Sequence, residues 1–133
     1  MRLPDRQFDL ITFCETIEHL YTSPTLVLAF LKGLLRPGPG VGILIQTPNA
    51  ASLLKRRDLL LGRNPNELIR TQRTNPGHFR EYTMNELLNY AAEAGLTVWH
   101  AEYCSYWPAK GPVQRLLEGI PSLRQGITIL LTR

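Results

Sequence analysis

With 133 residues, 44% of them hydrophobic and 20% charged, the chain has the make-up of one ordinary globular domain rather than a disordered or fibrous protein. No segment approaches the ~20 predominantly apolar residues of a membrane-spanning helix, and residues 1–6 lack the apolar run of a secretory signal. The net charge of +4 is concentrated, because between positions 55 and 80 seven basic residues are opposed only by Asp58 and Glu67.

Phe8-Asp9-Leu10-Ile11-Thr12-Phe13 is short and rich in β-formers, and predicts a buried strand. A helical turn is expected over residues 15–20. Ser23-Pro24 then supplies an N-cap followed by proline at the first helical position. Val27, Phe30, Leu31, Leu34 and Leu35 share one face of the helix that follows, which stops at Arg36-Pro37-Gly38. Residues 41–47 predict a second buried strand. The string Gly38-Pro39-Gly40-Val41-Gly42 mimics a nucleotide-binding loop, but it follows a helix and opens a strand. That is the reverse of the order in which backbone N–H groups face a ligand, and Pro39 removes one of them. It is read as a plain connection.

An apolar and basic helix is expected over residues 51–61. The irregular stretch 62–80 after it is of a length that is uncommon in compact domains and usually functional. Its charge allows two readings: a solvated loop, or a surface for an anionic substrate such as a phosphate or RNA. Thr83-Met84-Asn85-Glu86 is a capping box, and it opens a helix with the buried stripe Met84, Leu87, Leu88 and Ala91 and a stop at Gly95. Strands are expected over 96–106 and 126–131, joined by a weak linker or short helix. Alternating strands and helices predict an α/β protein. The expected architecture is the lower half of a doubly wound, Rossmann-like sheet, mostly parallel, covered on both faces and with an antiparallel pair at one edge. Cys14 and Cys104 lack CxxC spacing, which predicts free thiols and a cytoplasmic setting.

The residues that point to chemistry follow the first strand, where open α/β sheets bind ligands. Glu15, Glu18 and His19 have the i, i+3, i+4 spacing that shares a face on one helical turn. Two carboxylates and an imidazole held together call for a neutralising cation, and oxygen and nitrogen donors suit Mg²⁺ or Mn²⁺. His78 is a candidate fourth ligand. The alternative is that the two acids merely favour a helix N-terminus and the histidines sit on the surface.

The string from Phe8 to Leu20 resembles the fourth-strand motif of class I S-adenosylmethionine-dependent methyltransferases. So do Leu35-Arg36-Pro37-Gly38, Thr47-Pro48-Asn49, His78-Phe79-Arg80-Glu81-Tyr82-Thr83 and Ala94-Gly95-Leu96. In its Glu-x-x-Glu-His form the first string is similar to ubiquinone-biosynthesis O-methyltransferases and small-RNA 2′-O-methyltransferases. The resemblance implies S-adenosylmethionine as cofactor, with Cys14 and Glu15 on its side of the site. It implies a divalent metal on Glu15, Glu18, His19 and His78, and His19 or His78 as proton relay. Arg63, Arg70, Arg73 and Arg80 would lie over the acceptor. A quinol, a phenol, a glycan hydroxyl and an RNA ribose all suit such a loop. No counterpart of the motif that binds the cofactor's methionine end occurs in the sequence. Residues 1–133 are therefore expected to form the domain from its fourth strand onward, inactive alone, with the other half supplied elsewhere, for instance by another chain. The competing expectation is a non-catalytic remnant that serves as an interaction module or partner subunit.

Overall fold

A computed structural model of the chain describes residues 7–71 and 77–133. Among them, four strands form one sheet: β1 (Leu10–Cys14), β2 (Gly42–Pro48), β3 (Thr97–Cys104) and β4 (Gly126–Thr132), in spatial order β1-β2-β4-β3. β1 and β2 pair in parallel, while β4 lies antiparallel to both β2 and β3. Three strands thus point one way, and the expected antiparallel pair is present. The expectation of a mostly parallel sheet needs correcting at the level of pairing. The last strand inserts between β2 and β3 instead of extending the edge, so only one of three pairings is parallel.

The helices are α1 (Pro24–Leu34), α2 (Leu53–Leu60), α3 (Met84–Glu93) and α4 (Gly111–Gly119), the last filling the stretch that sequence left between linker and helix. Burial alternates along β2 and β4. Ile43, Ile45, Ile127, Ile129 and Leu131 point into the core, while Leu44, Gln46, Thr128 and Leu130 are half-exposed. The core is closed by Leu28, Leu31 and Leu35 from α1 and its end, and by Met84, Leu87 and Ala91 from α3. Among the described residues this corrects the expectation of two covered faces: the alternation with period two marks a sheet buried on one side. In α1 the buried stripe is rotated toward Leu28, which is fully buried, and Val27, Phe30 and Leu34 are only partly so. Leu28, Leu31 and Leu35 still follow helical spacing. Ser23 occupies the N-cap of α1 without a side-chain cap bond.

The capping box of α3 forms as expected. Glu86 Oε2 accepts from the Thr83 N–H and hydroxyl, each at 2.8 Å, and Oε1 accepts from Arg80 at 2.7 Å. Burial pushes the Glu86 carboxyl up, but the Thr83 and Arg80 bonds outweigh it and hold the group below the usual carboxylate value. A carboxyl depressed in the folded state stabilises above its unfolded pKa and loses that contribution as pH falls through the folded pKa. Melting temperature should therefore fall as pH drops below the ordinary carboxylate range, and in Glu86→Gln that acid-side fall should be shallower. Parallel thermal melts of the two chains check this.

Candidate functional site

The site lies past the C-terminal ends of β1 and β2. β1 ends at Cys14, which is half-buried. Glu15 then takes a φ of +46°, in the left-handed region that a non-glycine residue occupies only when its surroundings hold it there. Its N–H continues the ladder by donating to the Gln46 carbonyl at 2.8 Å. The helical turn begins only at Ile17 and is a three-residue 3₁₀ turn, Ile17–His19. Ile17 is buried in the core, and Glu18 beside it is 0% exposed.

Glu18 Oε2 accepts from the Thr47 hydroxyl at 2.9 Å, but Oε1 has no hydrogen-bond partner among the described residues. Burial is the chief cause that raises its carboxyl above the usual value. The Thr47 bond and nearby His78 oppose the shift, and Glu15 adds to it. A buried carboxylate oxygen left without a donor is costly unless a charge compensates it.

Two histidines gather around this carboxyl group. His19 Nδ1 lies 2.9 Å from the Gly77 carbonyl, which can only accept, so Nδ1 carries a proton and Nε2 is the nitrogen that holds the lone pair in the neutral ring. His19 Nε2 is 4.0 Å from Glu18 Oε1. His78 Nδ1 lies 2.9 Å from Glu81 Oε1, and the two imidazole rings meet edge-on at 4.9 Å between centroids. One donor atom from each of Glu18, His19 and His78 falls within 4.8 Å of the others.

His78 reaches His19 because its segment is tied down on both sides. The N–H groups of Phe79 and Arg80 both donate to the Glu18 carbonyl, at 2.8 and 3.1 Å, and the Ala50 N–H donates to the Tyr82 carbonyl at 3.0 Å. Gly77 makes the entry turn at φ +74°, and a Cβ there would run into the Leu68 carbonyl, so the backbone needs glycine on both counts. A cleft of about 340 Å³ opens beside His78, lined in part by Asn66, Phe79, Arg80 and Glu86. Phe79 stacks on Tyr21 at 4.1 Å at the exposed rim.

The residues predicted from sequence are thus partly brought together. Glu18, His19 and His78 converge, and Glu15 lies outside that group of donors. A shared helical face requires continuous helix from 15 to 19, and the positive φ and late 3₁₀ start break it. Glu15 Oε1 instead accepts from the Tyr106 hydroxyl at 2.8 Å, and burial together with that bond raises the Tyr106 phenol so that it stays a donor. Of the four arginines assigned to the substrate loop, Arg80 lines the cleft, where it pairs with Glu86 and lies 5.4 Å from the Tyr82 ring centre. Arg63 and Arg70 are exposed and do not line it. Arg73 lies outside the described residues.

Sequence reading missed Thr47, Lys55, Glu81 and Tyr106 as parts of the site. Thr47 and Glu81 sat inside quoted strings, and their signal was a polar side chain at a strand end and beside a histidine. Lys55 was counted only as part of a basic run; it reaches inward to pair with Glu81, which is buried.

Comparison with known proteins agrees with this frame. No curated protein is similar enough in sequence to match the chain. Solved S-adenosylmethionine-dependent methyltransferases are similar in fold. One from Archaeoglobus fulgidus has a TM-score of 0.60 at 18% identity, over 98% of this chain and 62% of that one. Those from Mesorhizobium loti (0.59, 14%, over 100% and 65%) and Clostridium acetobutylicum (0.58, 15%, over 97% and 59%) are alike. The chain therefore spans about three-fifths of the length of these structures. The sequence model of a methyltransferase domain matches residues 2–101. With that match over most of its length, the chain belongs to the methyltransferase-domain family, and it shares its fold with these S-adenosylmethionine-dependent methyltransferases.

Proposed function

We propose that the chain serves methyl transfer from S-adenosylmethionine to an oxygen acceptor, and that Glu18, His19 and His78 hold a divalent cation beside the acceptor hydroxyl. The observation that carries this reading is the buried Glu18 Oε1, without a donor among the described residues, in a carboxylate gathered with two imidazoles whose Nδ1 atoms are already engaged. The residues fit a cation: one carboxylate oxygen and two imidazole nitrogens are a mixed oxygen and nitrogen donor set of the kind a first-row divalent metal accepts. With Glu15 turned away, that set favours Mn²⁺ over Mg²⁺, which prefers oxygen ligands and water.

In the transfer, the acceptor oxygen forms a bond to the methyl carbon as the carbon–sulfur bond breaks, and the sulfur keeps the electron pair. The hydroxyl proton must leave. A bound cation supplies Lewis acidity, lowering the pKa of the hydroxyl and orienting it. The chain's own residues mainly position the reactants. With Nδ1 engaged and Nε2 given to the cation, neither imidazole is left to take the proton, which passes to water at the open side of the site. Cys14 and Glu15, at the end of β1, form the wall nearest the cofactor. The turn that grips the cofactor's methionine end would come from chain outside these residues or from a second chain.

Lys55 and Arg80 pair with Glu81 and Glu86, two acids beyond the basic stretch, which leaves it less charge for a polyanion than its own composition implies. That supports a small-molecule or glycan acceptor over RNA. The test is labelled methyl transfer from S-adenosylmethionine by the full-length protein to catechol, glycan and RNA acceptors, with Mn²⁺ or with chelator. An O-methylated product formed only with Mn²⁺ is expected. Undiminished methylation in chelator removes the cation from the reading, and no product on any acceptor favours the non-catalytic alternative.

A further inference from the structure

Glu81 is a buried acid with no part in the ligand cluster. Its Oε1 lies 2.9 Å from His78 Nδ1 and its Oε2 meets the Lys55 ammonium. Its side chain is 3% exposed and that of Lys55 16%. Lys55 belongs to α2, a helix with no buried residue, so its inward reach stands out against the exposed leucines around it. One oxygen of Glu81 thus lies against an ammonium, as an ion pair without a hydrogen bond, and the other against a ring nitrogen.

We propose that Glu81 is a positioning residue for the cation site: held by Lys55, it fixes the ring orientation and tautomer of His78 so that Nε2 keeps its lone pair for the cation. This rests on the reading of Glu18, His19 and His78 as cation ligands. The physical reason is general. A ligating imidazole has two nitrogens, and an acceptor on one of them selects which of the two is left with a lone pair. A carboxylate in that position also raises ligand basicity. His19 has the weaker version of the same arrangement, with the Gly77 carbonyl as its acceptor. The two rings are therefore oriented independently, one by backbone and one by a buried ion pair.

The experiment compares wild type, Glu81→Ala and Glu81→Gln by two measurements on the whole chain. Mn²⁺ alone is titrated at constant pH, with free Mn²⁺ followed by electron paramagnetic resonance. Long-range ¹H–¹⁵N spectra of the metal-free chain report the His78 tautomer. Glu81→Ala should bind Mn²⁺ about 10- to 100-fold more weakly, and His78 should change from one tautomer, protonated on Nδ1, to a mixture. Glu81→Gln keeps an acceptor oxygen but loses the charge, so it should retain the tautomer and lose affinity at the low end of that range. If circular dichroism shows that Glu81→Ala does not fold, Glu81→Gln decides alone, and wild-type affinity in it overturns the proposal. Where Glu81→Ala folds, wild-type affinity together with an unchanged tautomer overturns it. A wild-type chain that binds no Mn²⁺ removes the cation reading. The spectra need no cation, and an unchanged His78 tautomer in Glu81→Ala would then overturn the positioning role as well.

Discussion

Replacing Glu18 with Gln should abolish Mn²⁺ binding while leaving the metal-free chain as stable as wild type or more so. The two effects have opposite signs because the group is expensive in one state and required in the other. In the empty site, burial opposes the Glu18 carboxylate, as its raised pKa records, and Oε1 finds no donor among the described residues. Gln is nearly isosteric, keeps an oxygen that can accept from Thr47 and carries no charge to desolvate. Loss of a directly ligating carboxylate should weaken the cation by more than the ~10- to 100-fold typical of an outer partner. Denaturant titration and Mn²⁺ titration of the same two proteins check both halves. If Glu18→Gln lowers metal-free stability by more than about 1 kcal/mol, Glu18 is a structural acid whose value lies in its bond to Thr47.

The second large effect concerns the frame. Ile129→Ala should cost about 2–5 kcal/mol, the range for removing a large aliphatic side chain from a packed core. Ile129 is 1% exposed in the interior strand β4, opposite Ile45 on β2 and Ala101 on β3. Against a total stability of ~5–15 kcal/mol that is a large fraction, and the melting temperature should drop on the order of 10 °C. Leu130 is the internal comparison, being next in sequence but on the half-exposed side of the sheet. Leu130→Ala should cost clearly less, and equal losses in thermal melts would contradict the one-sided core.

Much of the frame was legible because it is local. Short apolar runs marked β1, β2 and β4, alternation marked β3, and Thr83 with Glu86 announced the start of α3 from chemistry contained in four residues. Strand order was harder to read. β4 enters between β2 and β3 by pairings distant in sequence, and nothing in residues 126–132 says which neighbours they will have. In the same way Leu28, and not the predicted face alone, became the most buried residue of α1, since the direction of the core is set by what packs against the helix.

For the site, residue type carried further than spacing. Glu18, His19 and His78 were found because carboxylate and imidazole are ligating groups, and the loop did bring them together. The i, i+3, i+4 argument for Glu15 assumed a helix that the backbone does not form there; its bond to Gln46 keeps residue 15 in the strand ladder, and Tyr106, 91 residues away, takes its carboxylate. Lys55 and Glu81 read as a basic run and an isolated acid, and only tertiary contact turns them into a pair.

The two amide groups that Phe79 and Arg80 aim at the Glu18 carbonyl have a thermodynamic corollary. His19 and the residue before His78 are 58 positions apart, so an ion gripped by both ends would act as a reversible staple closing a long loop, removing freedom from the unfolded chain much as a covalent bridge does. Occupancy of the site and resistance to unfolding then become one linked quantity, each rising with the supply of the ion.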